Sequence, residues 1–197
     1  MSRAPAILLI DNHDSFTYNI WAALKLAGAE VLVRSVEALS PAEVYYYPWQ
    51  GIVIGPGPGH PSRLTALLPL LFPPTLSVPL LGVCLGHQYL ALSYGATVAP
   101  TGKPRFGVQV PISHTGEDLF QGLPNPLPVG LYHALGVYNL PPTLNVLATD
   151  ADGLCMAFRH ETHPIWGVQF HPDSILTPMG PQLFRRWVSF IGAYVPS

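Results

Sequence analysis

The chain is poor in charge. Of its 197 residues, 9 are Lys or Arg and 11 are Asp or Glu, and the formal net charge is -2. The basic residues are scattered, and lysine is reduced to Lys25 and Lys103. No cationic stripe is present to follow a phosphate backbone, so nucleic acid is not an expected partner. Cysteine is equally scarce, with Cys84 and Cys155 the only two. A single bridge is arithmetically possible, but a secreted disulfide framework is excluded. No Cys-x-x-Cys or His-x-x-x-His spacing occurs, so no metal site is expected. No repeat of 20–50 residues is visible. No composition break or linker divides the chain, and a single domain over 1–197 is expected.

One absence imitates a membrane signal. Between Leu64 and Gly102 there is no Asp, Glu, Lys or Arg. Pro69, Pro73, Pro74 and Pro79 cut this stretch, and Gly82 and Gly86 follow. A buried helix, a loop and a buried strand fit that pattern better than a bilayer span. The first apolar run, Ala6–Ile10, is too short for a signal peptide and meets Asp11 at once. A cytoplasmic protein without membrane contact is expected.

What is abundant is apolar side chain, at 49% of residues, and proline, at 23. This length can bury a substantial core. With so little charge, the surface must also carry apolar area, which a subunit interface would account for. The prolines fall at segment ends and read as loop rigidifiers.

The first half reads as strand–helix units. "AILLID" (6–11), "EVLVRS" (30–35), "GIVIGPGPG" (51–59) and "PLLGVC" (79–84) are short apolar runs of the kind that make buried parallel strands. "DSFTYNIWAALKLAG" predicts a helix capped by Asp14 or Ser15 and ended by Gly28. A leucine-rich segment near 63–72 and "LGHQYLALSYG" (85–95) predict two more helices. The second half changes to short strands separated by turns: "ATVAP", "GVQVPI", "PLPVGL", "NVLATD", "LCMAFRH" and "IWGVQF". "HETH" (160–163) predicts a hairpin tip and "GPQLFRRWVSFIGAY" (180–194) a closing helix. The fold class is α/β. An open, mostly parallel, flavodoxin-like sheet is expected, with helices on both faces and additional antiparallel strands in the second half.

In such sheets ligands gather at the carboxyl ends of the strands. Cys84 falls there, between Gly82 and Gly86, in a Gly-x-Cys-x-Gly pattern. That is the form of a nucleophile elbow with cysteine in the serine position. A helix starting behind the sulfur would favour the thiolate. The alternative is a buried structural cysteine, the better reading for Cys155 in "GLCMAF". A nucleophilic thiol needs a base. His171 ends the apolar run of "WGVQFHPDSILT" (166–177), and Asp173 follows two residues later, where a carboxylate can orient an imidazole. "GPGPG" (55–59) brings backbone N–H groups close to a ligand, though such turns are common. It lacks the features of a phosphate-binding loop.

With "LLIDNHDSFTYNI", "IVIGPGPGHP", "LLGVCLGHQYLA" and "WGVQFHPDSILT" in this order, the chain resembles a class I glutamine amidotransferase. More narrowly, it resembles the glutaminase subunit of anthranilate synthase or 4-amino-4-deoxychorismate synthase. Gly102–Lys103, His114 and "YHAL" (132–135) fit that branch. The resemblance implies Cys84 as nucleophile, His171 as general base and acid, and Asp173 as third triad member. It implies Gly57 and Leu85 as oxyanion-hole donors. The turn Gly57, Pro58 and Gly59, with Gln88 and the backbone at Ala134 and Leu135, would hold L-glutamine. It further implies a partner, a chorismate-binding synthase subunit, and no cofactor in this chain. Mg²⁺ and chorismate would bind on the partner. The resemblance leaves the product open between anthranilate and 4-amino-4-deoxychorismate.

Three positions depart from the family pattern. Asp173 stands where Glu is usual, so its carboxylate reaches His171 only if the turn adjusts. Leu131 and Ala134 replace the Arg and Ser of Arg-Tyr-His-Ser-Leu. Gly55 opens the turn that is usually Ser-Pro-Gly-Pro-Gly. These departures keep a second reading open, a catalytically impaired subunit that binds glutamine or scaffolds its partner.

Overall fold

The structure, a computed structural model, describes residues 4–67 and 78–194. Its centre is a nine-stranded sheet in the order β2-β1-β3-β4-β9-β8-β7-β5-β6. The strands are β1 Ala6–Asp11, β2 Glu30–Ser35, β3 Gly51–Ile54, β4 Leu80–Val83, β5 Thr97–His114, β6 Leu127–Tyr138, β7 Leu144–Thr149, β8 Cys155–His160 and β9 Ile165–Val168. β2, β1, β3, β4 and β9 run parallel. From β8 onward every pairing is antiparallel.

Among the described residues, four α-helices cover the sheet: α1 Thr17–Leu26, α2 Pro41–Tyr46, α3 Leu85–Ser93 and α4 Gly180–Ala193. Alternation along β1 sorts them onto two faces. Ile7 and Leu9 pack with Ile20 and Leu24 of α1 and with Leu183, Trp187 and Ile191 of α4. Leu8 and Ile10 pack with Val44 of α2 and with Tyr89 and Leu90 of α3. β3, β4 and β9 are buried at every residue, as strands covered on both faces must be.

The strands of the first half match the sequence expectations closely. The elements that differ do so for local reasons. "ATVAP" and "GVQVPI" are one 18-residue strand, β5, paired with β6 between Thr97 and Ile112 and with β7 at Ser113 and His114. The intervening Gly102–Lys103–Pro104 is not a turn. It lies in a register shift between Pro100 and Arg105, with Gly102 at φ 72. A bulge absorbs the extra residues and the pairing continues.

The start of α1 also differs. Phe16, not Asp14 or Ser15, occupies the N-cap, without a side-chain cap. The turn is organised by Asp11 at the end of β1. Its Oδ1 accepts from His13 N at 2.9 Å, from Asp14 N at 3.3 Å and from Thr17 Oγ1 at 2.7 Å. Helix α2 is not among the expected elements, although "SPAE" carries its signature. Ser40 and Glu43 form a reciprocal capping box with Pro41 in the first turn. Of the leucine-rich segment near 63–72, Pro61–Leu67 forms 3-10 helix, and the rest lies outside the described residues. "HETH" is the tip of the β8–β9 hairpin, as expected.

Candidate active site

β4 and β9 are neighbouring parallel strands, with Val83 beside Val168. Cys84 leaves the end of β4. His171 lies three residues beyond the end of β9. The two therefore emerge side by side at the carboxyl edge of the sheet, where open α/β sheets bind ligands.

Cys84 has φ 53 and ψ -101, a conformation costly for any residue with a Cβ. It is held there by packing on both sides. A Cβ on Gly82 would lie 2.4 Å from the Gly86 backbone, and one on Gly86 would lie 2.1 Å from the Ile54 carbonyl oxygen. Only glycine at both positions lets the strand turn into α3 within one residue. Cys84 N donates to Val168 O at 2.9 Å, tying the elbow to β9. Leu85 is the first residue of α3, whose first-turn amides have no acceptor within the helix.

His171 is 2 % exposed. Its main chain is fixed: N donates to Gly130 O at 3.0 Å, and its carbonyl accepts from Thr177 Oγ1 at 2.6 Å. Gly180 is required behind this turn, because a Cβ there would meet the Pro172 carbonyl oxygen at 1.7 Å. The imidazole is packed edge-on against Phe16 and Tyr132, with ring centroids 5.0 and 4.9 Å away. Asp173 Oδ1 lies 3.5 Å from His171 Nδ1, an ion-pair distance without a hydrogen bond. Burial pulls the imidazole pKa down. Asp173 and Cys84 outweigh it and raise the value to about 10.

A cavity of about 520 Å³ opens in front of Cys84 and His171. Gly57, Pro58 and Gly59 line it from the β3 loop, Gln88 from α3, and Ala134 and Leu135 from β6. Gly57 is packed too tightly for a side chain, since a Cβ would lie 2.6 Å from Asn12 Cβ and 2.8 Å from Leu85 Cδ2. Gln88 Nε2 donates to Leu135 O and to Gln169 Oε1, both at 3.0 Å.

Eight of the ten expected site residues thus meet at one cavity. The other two do not line it. The Asp173 side chain is fully buried, 3.5 Å from His171 Nδ1. Leu85 touches Gly57 through its side chain, which leaves its amide as the feature of interest. Of the departures, Leu131 is fully buried in the core and does not line the cavity. Ala134 lines the cavity.

Gln169, Phe16 and Tyr132 are among the residues at the site that the sequence expectations do not assign a role. Gln169 is fully buried, with Nε2 3.7 Å from Cys84 Sγ. A polar residue in the apolar run "IWGVQF" is the available signal. Phe16 and Tyr132 stand in "DSFTYN" and "YHAL", but nothing local marks either ring as packing on the histidine. Among the described residues, no three His, Cys, Asp or Glu side chains cluster as metal ligands, and no helix is long and apolar enough to cross a membrane.

Residues 8–190 match the family model described as glutamine amidotransferase class-I. The chain is 42% identical over 185 residues to aminodeoxychorismate synthase component 2 of Klebsiella aerogenes, covering 93% of this chain and 99% of that one. It is 40% identical over 186 residues to anthranilate synthase component 2 of Azospirillum brasilense, covering 93% and 95%. It is also 44% identical over 184 residues to the aminodeoxychorismate synthase of Streptomyces griseus. There it covers 91% of itself but spans only 25% of the longer protein. Among solved structures, a GMP synthase subunit from Thermoplasma acidophilum superposes with a TM-score of 0.87 at 27% identity, covering 97% of this chain and 96% of that one. An elbow cysteine beside a buried histidine, on this sheet and with these relatives, makes the chain a member of the class I glutamine amidotransferase family.

Proposed function

We propose that this chain is a glutaminase subunit that hydrolyses L-glutamine and delivers ammonia to a chorismate-binding synthase subunit. The observation that carries it is Cys84 on its strained elbow, at the wall of the cavity that the buried His171 also lines. In this reading Cys84 attacks the side-chain amide carbon of glutamine as a thiolate. The amides of Gly57 and Leu85 receive the developing oxyanion, an effect worth about 3 kcal/mol per donor. His171 gives its proton to the departing nitrogen, and ammonia leaves a glutamyl thioester on Cys84. His171, now neutral, takes a proton from water. The resulting hydroxide cleaves the thioester, and Cys84 leaves as thiolate with glutamate released. Asp173 stabilises the imidazolium across 3.5 Å. The Gly57–Pro58–Gly59 turn, Gln88 and the main chain at Ala134 and Leu135 hold the substrate. This chain needs no cofactor for these steps; chorismate and Mg²⁺ bind on the partner.

The test is glutamate release by the purified chain, alone and with each candidate synthase subunit plus chorismate. Activation by one partner identifies anthranilate or 4-amino-4-deoxychorismate as the product, and activation by both indicates a shared subunit. Cys84→Ser should abolish glutamine-dependent synthesis by the complex and spare ammonia-dependent synthesis. Loss of both in a folded complex would sink this division of labour.

The 3.5 Å separation of His171 and Asp173 favours one further reading, an impaired subunit that binds glutamine or scaffolds its partner. Asp173→Glu separates the two. Under the glutaminase reading turnover changes less than roughly tenfold, about 1.4 kcal/mol. A much larger rise would identify an impaired natural site.

A further inference from the structure

A second hollow, of about 300 Å³, lies on the antiparallel half beside the glutamine cavity. His133 of β6 lines both. The ring is 5 % exposed, so it forms part of the partition between them. Its tautomer is set by its neighbours. Nδ1 lies 2.8 Å from Leu135 O, and a carbonyl only accepts, so Nδ1 carries the proton. Nε2 is then a bare acceptor. It is buried and has no partner among the described residues. A buried acceptor left open is costly and marks a place where a donor is expected.

The far side of the partition is built from charges held in place. Arg105, the cross-strand neighbour of His133, donates to Asp150 Oδ2 and to Asp152 Oδ2, each at 3.0 Å. Lys103 of the Gly102–Lys103 pair stands 3.5 Å from Asp152. That pair lines no part of the glutamine cavity; Lys103 instead lines the second hollow.

We propose that His133 passes ammonia from the glutamine cavity into this second hollow, rimmed by Lys103, Arg105 and Asp152, on its way to the synthase subunit. The inference rests on the glutaminase reading above. Ammonia supplies the N–H donor that Nε2 lacks. Burial and the nearby Arg105 guanidinium keep His133 neutral, so it accepts that bond without protonating the amine. Ammonia then enters the hollow as a nucleophile and is kept from the open mouth through which glutamine enters.

The experiment compares glutamate released with aminated product formed by the complete complex, for wild type, His133→Leu and His133→Gln. With His133→Leu, ammonia-dependent synthesis should persist. Glutamate per product should rise about fivefold, the factor that one hydrogen bond is worth. His133→Gln, which keeps an acceptor, should recover part of the coupling and remains informative if the leucine variant misfolds. A ratio unchanged in both variants, or a raised KM for glutamine with coupling intact, would overturn the proposal. A wild-type complex that makes no product from glutamine would instead overturn the glutaminase reading itself.

Discussion

The two halves of the sheet solve different problems. In the parallel half, β3, β4 and β9 are four residues long and buried throughout. Their short length places three loops at one edge, and those loops carry Gly57, Cys84 and His171. In the antiparallel half, β5 runs 18 residues and is largely exposed. It supports β6, which lends Tyr132, His133, Ala134 and Leu135 to the cavity. The candidate residues Cys84 and His171 follow strands that are packed on both faces. The cavity walls from β6 rest on a ribbon, β5, that is largely exposed.

This contrast can be broken most directly at Leu131, a fully buried position in the antiparallel half. If burial rather than strand direction sets tolerance, Leu131→Arg should cost about 4 kcal/mol or more, since it buries an unpaired charge. A denaturant midpoint close to that of wild type would show that β6 relaxes. Gly86→Ala in the parallel half should cost about 2–3 kcal/mol, because its Cβ would strike the Ile54 carbonyl. Both the melting temperature and glutamate release should fall, as α3 is pushed off the elbow.

A smaller effect concerns pH. The folded-state pKa of His171 is raised to about 10, above its unfolded value of about 6.5. The stabilisation it brings is therefore fully present below about pH 6.5 and is lost as pH rises toward 10. Unfolding measured across that window should show stability falling with pH. In Asp173→Asn the slope should flatten, because one of the two groups that raise the pKa loses its charge. An unchanged slope would mean that Asp173 does not support the imidazolium. At the small end, Val108 on β5 is 40% exposed, and Val108→Thr should stay within about 0.5 kcal/mol of wild type. A larger loss would show that this part of the outer face of β5 is not free to vary.

Legibility follows the same division. β1 and β2 can be read to the residue, and β3, β4 and α3 to within a few, because short apolar runs bounded by polar residues or glycine leave few alternatives. β5 reads as two strands, because Gly102 and Pro104 look alike in a turn and in a bulge. The N-cap of α1 is not legible because Asp11, six residues before the helix, organises the turn through its side chain. Eight of the ten site residues gather at the cavity, since the glycine-flanked cysteine and the strand-end histidine are local patterns. The packing of Phe16 and Tyr132 on His171 leaves no trace in the sequence, because residues far apart in the chain create it.

The sequence by itself determined the α/β class, the elbow at Cys84 and the pairing of that cysteine with a histidine at a strand end. These follow from local rules: which residues alternate, and where only glycine fits. The tertiary structure alone decided the 3.5 Å between His171 and Asp173, the core position of Leu131 and the place of His133 between two cavities. Each of these depends on how β6, β9 and the loop after β1 pack together. That packing joins segments distant in the chain, and no local spacing encodes it.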